Sequence, residues 1–148
     1  MPDSRRQQII DQIKTLLATI TVANGFKTNT GSNVFEWKGI DFQDTELPGV
    51  DVRDPSEDVE NRGSNHVYTL TVDIEAKVSA STSTNQAREV LADIQTLMGS
   101  NQNLGGLAHL VRPVQNELLD FEHANNKFGS VSIRLEVVYA TIAFQPYS

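Results

Sequence analysis

The 148 residues of this chain include no cysteine. That absence excludes disulfides, thiolate metal sites and cysteine nucleophiles, and it suits synthesis in a reducing cytoplasm. Positive charge is scarce as well: 12 lysines and arginines stand against 19 acids, a net −7. The bases are scattered, with only Arg5 and Arg6 adjacent. Nucleic acid and anionic membranes need a clustered positive footprint, so neither is expected as a partner. Long hydrophobic runs are missing. The start MPDSRRQQII passes straight into an amphipathic pattern, so no signal peptide is expected, and the longest apolar run, 137–144, is too short to span a bilayer.

The signatures of catalysis are missing too. His66, His109 and His123 lie far apart, and none stands in a metal-ligand spacing. There is no GxSxG elbow, GxxxxGK loop or GxGxxG turn. An EF-hand loop starting at Asp44 needs glutamate at position 55, where Pro55 stands. Asp120 and Glu122 share one face of a strand pattern, but the wet face of a sheet accounts for them without a cleft. No catalytic residue, metal or cofactor is assigned, and an enzyme is not expected.

What is present is pattern. Residues 66–79 alternate for their whole length: Tyr68, Leu70, Val72, Ile74, Ala76 and Val78 in one phase, Thr69, Thr71, Asp73, Glu75, Lys77 and Ser79 in the other. Such alternation predicts a long strand with one buried and one wet face, as an antiparallel sheet allows. Ser4 to Gln7 fits a capping box, and Ile9, Ile10, Ile13, Leu16, Leu17 and Ile20 then recur at helical spacing. Ser83 to Gln86 repeats the cap signal before the stripe Ala87, Val90, Leu91, Ile94, Leu97 and Met98, with Gly99 as the expected C-cap. The result is one α+β domain over 1–148, mostly antiparallel, with two amphipathic helices packed on one face.

The remaining stretches give further expectations. Residues 33–38 read as a strand, and Val50 and Val52 as a short one ended by Asp54-Pro55. Between 41 and 60 there are eight acids and one base, Arg53. With the apolar-poor run 56–65, this predicts an acidic mobile loop over about 41–65. Pro113 restricts the 107–122 stretch to an edge strand or to a strand starting beyond it, with Leu119 and Phe121 inward. Residues 123–130 read as a turn. Asp73, Glu75, Lys77, Arg134 and Glu136 are expected to form cross-strand charge pairs.

The last strand carries the most telling change. Val131, Ile133, Leu135, Val137 and Tyr139 hold one phase, whereas the other passes from Ser132, Arg134 and Glu136 to Val138, Ala140, Ile142 and Phe144. From Val138 onward both faces are apolar, so the outer one needs a cover. Two covers are open: the 107–113 segment folding over it, or a neighbouring subunit.

Element order and wording, in RRQQIIDQIKTLLATI, TELPGVDV, YTLTVDIEAKVSASTSTNQAREVLADIQTLM and VSIRLEVVYATIAF, resemble the tail terminator (tail completion, minor tail protein U-like) proteins of long-tailed bacteriophages and prophages. The resemblance covers nearly the whole chain and rests on element order and on short patterns such as Leu47-Pro48 and Tyr139-x-Thr141. It implies a structural protein of the virion tail, assembled in the bacterial host cytoplasm. Its expected form is a homo-hexameric ring that caps the tail-tube protein, stops tube growth and meets the head-tail connector. Val138, Ala140, Ile142 and Phe144 are then candidates for the interface between copies, and Asp51, Arg53, Asp54, Glu57 and Asp58 for a partner-binding loop. The alternatives are another head-tail joining protein or a small acidic module that binds a ligand or ion.

Overall fold

The computed structural model describes residues 2–79, 81–82, 84–119 and 128–148. Two helices, α1 (Arg5–Leu17) and α2 (Thr84–Gly99), lie against a sheet of five strands. The strands are β1 (Val34–Glu36), β2 (Gly49–Arg62), β3 (Asn65–Ser79), β4 (Leu110–Leu119) and β5 (Phe128–Ile142). Their order is β1-β2-β3-β5-β4, antiparallel throughout except where the short β1 runs parallel to β2. The fold is α+β, as the periodicities predict.

The helices form where their stripes and caps say they should. Ser4 Oγ accepts the Gln7 backbone N–H at 3.2 Å, while the Gln7 side chain donates to Asp11 rather than back to the cap. Ile9, Ile13, Leu17 and Ile20 are wholly buried. In α2 the buried residues are Ala87, Val90, Asp93, Ile94, Leu97 and Met98. Gly99 is the last helical residue rather than a cap beyond it, and Ser83, the expected N-cap, lies outside the described residues.

Both stripes press onto one face of the sheet. That face carries Val50, Val52, Leu70, Val72, Ile74 and Ala76, with Val131, Ile133, Leu135 and Val137 of β5, all buried. Each such side chain stabilises the fold by roughly 1.5–3 kcal/mol before the entropy of ordering it is counted. The opposite face carries two cross-strand charge pairs, Arg134 on Asp73 and Arg112 on Glu136, both at 2.8 Å, whereas Lys77 pairs with Glu75 of its own strand.

Four expectations are corrected. The acidic stretch is not a loop beyond Pro55: β2 continues to Arg62 and pairs with β3 residue by residue as far as Arg62 opposite Asn65. Asp54 and Pro55 form a bulge within the strand rather than its end, and Gly63-Ser64 makes the tight turn of a hairpin. Backbone pairing holds this strand where apolar side chains do not. The 107–113 segment does not fold over β5 either. Its last residues enter β4, which lies beside β5 in the plane of the sheet, with Pro113 on the open edge as proline requires. A second bulge between Pro113 and Gln115 then turns Leu118, not Leu119, toward the core. Residues 120–127, with Asp120, Phe121, Glu122 and most of the expected turn, lie outside the described residues.

Candidate functional site: the overhanging end of the sheet

β2, β3 and β5 run on past the helices, and this overhang is where the molecule departs most from an ordinary two-layer domain. Its inner face is a polar and aromatic cluster. The Tyr139 hydroxyl donates to Glu57 Oε2, and the Tyr139 ring stacks on Tyr68 with centroids 4.7 Å apart. Burial, and then the bond to Glu57, push the Tyr139 phenol far above its ordinary value, so it stays protonated. Arg6 reaches from α1 to Asp54 Oδ2 at 2.7 Å and to Glu57 at 3.7 Å, and the Trp37 indole donates to Asp54 Oδ1 at 2.7 Å. The bulge makes this possible by turning Glu57 inward, opposite Leu70.

The chain end closes the cluster. The Ala143 N–H donates to the Ser64 carbonyl at 2.9 Å, and the Arg5 N–H donates to the Pro146 carbonyl at 2.8 Å. The Phe144 ring meets the buried His66 edge-to-face at 4.7 Å.

The outer face of the overhang is open and apolar along β5, with Asn65 and Thr69 of β3 and Asp58, Glu60 and Arg62 of β2 beside it. Val138 and Ala140 are half-buried beside Val67 and Leu110, and Ile142 is 48% exposed; Phe144, past the end of β5 and against His66 of the inner face, is 88% exposed. Of the two covers that the sequence leaves open, the 107–113 segment does not serve, because it passes alongside β5.

The five residues expected on a partner-binding loop all lie on β2. Asp51 is buried, where it accepts the Lys38 N–H at 2.9 Å and Arg53 Nε at 2.8 Å. Asp54 and Glu57 serve the cluster around Arg6 and Tyr139. Arg53 lies over the Trp37 ring and is exposed, as is Asp58. Three of the four acids therefore hold the fold together.

Sequence reasoning missed Asp93. It is buried on α2 and accepts the N–H groups of Lys27 and Thr28 and the Thr28 hydroxyl, at 3.1, 2.8 and 2.7 Å. Its place between Val90 and Ile94 on an apolar stripe was the available signal, since a buried acid must be bonded.

Two concave places have partly or mainly apolar walls, and a polar one of about 290 Å3 lies on the charged face of the sheet between Arg53, Glu75, Glu117 and Arg134. A cavity of about 450 Å3 lies between the start of α2 and the loop at Lys27 and Pro48, with mixed polar and apolar walls. A groove of about 270 Å3 runs between α2 and β4 and is mainly apolar. Among the described residues, no group of three or more His, Asp or Glu stands close enough to hold a metal ion. No helix among them is long and apolar enough to cross a membrane. No protein-family model matches the chain, and no curated protein matches it.

Proposed function

We propose that the chain is a structural protein of a phage or prophage tail, a stoichiometric cap without catalysis. In this reading, copies join into a hexameric ring on the last ring of tail-tube subunits. The ring stops tube growth and presents its other side to the head-tail connector. One observation carries the reading: at the overhanging end the outer face of β5 is apolar, with Val138 and Ala140 only half-buried and Ile142 48% exposed, and Phe144 just beyond the strand is 88% exposed. A surface of this kind on a paired, ordered sheet supports burial against another protein. The resemblance in element order to tail terminators supplies the kind of assembly, and the scattered bases speak against nucleic acid as the partner.

Mass by light scattering across a concentration series, with and without tail tubes from the same virus, tests this. A hexamer, or a monomer that becomes a ring on tube ends, is the expected result. A monomer indifferent to tubes at every concentration overturns the proposal.

A further inference from the structure

We propose that neighbouring copies join by a knob and a socket, Phe144 of one copy entering the groove between α2 and β4 of the next. The inference rests on the ring reading and names the two surfaces that meet. Phe144 combines two costs that its one ring contact, edge-to-face on His66, offsets only in part. Its ring is almost wholly exposed, and its backbone sits at φ +60°, a region that side-chain-bearing residues seldom adopt. The position is held on both sides, by the bond from Ala143 to Ser64 and by that from the Gln145 N–H to the Ile142 carbonyl. A large apolar ring held in place before contact loses little freedom on docking.

The socket suits it. Ile94, Met98, Val111 and Leu135 form the floor of the groove, each no more than 5% exposed, with Pro113 on its exposed rim, and a thioether against an aromatic ring is a favourable contact. Charge points the same way. Each copy carries −7, so copies repel one another and contact is least opposed where neither surface is charged. Residues 142–148 (IAFQPYS) contain no charged side chain, and the polar residues of the groove, Gln95, Gln102 and Asn116, are neutral. Knob and socket lie on different parts of the molecule, so the contact is heterologous: it repeats head-to-tail and closes a ring when the rotation per step allows.

Two variants separate the surfaces without threatening the fold. Phe144→Gly removes the knob and relieves the backbone. Gly99→Trp fills the socket, because a side chain at Gly99 projects into open space beside the groove. Each variant alone should keep the wild-type melting temperature and lose self-association, with Kd rising at least about 30-fold. Mixed in equal amounts they should form a heterodimer and stop there, since only one intact knob and one intact socket remain per pair. Variants that assemble like wild type, or a mixture that stays monomeric while wild type assembles, would overturn the knob and socket and leave the ring standing. Wild type that assembles under no condition, tube ends included, removes the ring and this contact together.

Discussion

At one end of the sheet, Val50, Val52, Ile74 and Ile133 are sealed beneath two helices; at the other, Val59, Ile142 and Phe144 stand 55%, 48% and 88% exposed. Yet the strands are paired as fully at the open end as at the closed one, with β3 in register with β5 from Ser79 opposite Phe128 to Asn65 opposite Ile142. Backbone pairing and side-chain burial are therefore separable in this molecule. The closed end supplies the stability of the domain. The open end borrows it, and spends its own apolar side chains on a surface rather than on a core.

The largest expected effect belongs to the closed end. Ile74→Ala opens a cavity in a wholly buried site and should destabilise by about 2–5 kcal/mol in urea unfolding. A loss below about 1 kcal/mol would mean that the two ends are less different than their burial implies. The next largest lies at the junction. Tyr139→Phe removes a bond to a carboxylate and should cost about 1.5–3 kcal/mol. This site also has a pH signature. Because the phenol is raised in the folded state, its contribution is complete below the ordinary value of about 10 and declines as pH climbs above it. Wild type should thus lose stability more steeply than Tyr139→Phe between about pH 10 and 11, and parallel curves would show that the bond to Glu57 is not formed in solution. The smallest effect belongs to the open end. Ile142→Ser should change the stability of the lone chain by no more than about 0.5 kcal/mol, while assembly on tube ends declines. A larger loss of stability would mean that the residue serves the core and not a surface.

Both helices and the long strand were legible because each has one periodic apolar stripe. The overhang was legible only in part. The switch of β5 to two apolar phases at Val138 was visible in the sequence, and it marks the open surface. The distal half of β2 was not recognised, because Glu57, Asp58, Glu60 and Asn61 look like solvent-bound residues. Glu57 instead faces inward as an anchor for Tyr139 and Arg6, and the strand is held by its ladder to β3. The tight-turn pair Gly63-Ser64 was the signal that would have recovered the hairpin. Pro113 leaves an edge strand or a strand starting beyond it, and the structure takes the first, whereas the bulge beside it, which exchanges Leu119 for Leu118, leaves no mark in a single sequence.

The bulge at Asp54-Pro55 acts on β2 as a frameshift acts on a message. One additional residue opposite Val72 resets the parity of everything downstream, and Glu57 and Val59 take the inner side in place of Ser56 and Asp58. Removing one residue at the bulge itself would straighten the ladder and leave Glu57 opposite Leu70 and Val59 opposite Tyr68, with the same side chains facing inward. Removing Asp58 instead would close the bulge from the other side and turn Glu57 outward, opposite Thr69 and away from Tyr139 and Arg6. The bulge is therefore a slack residue: a deletion at Pro55 should keep the faces of the distal strand, and a deletion between Asp58 and Arg62 should cost the cluster its anchor.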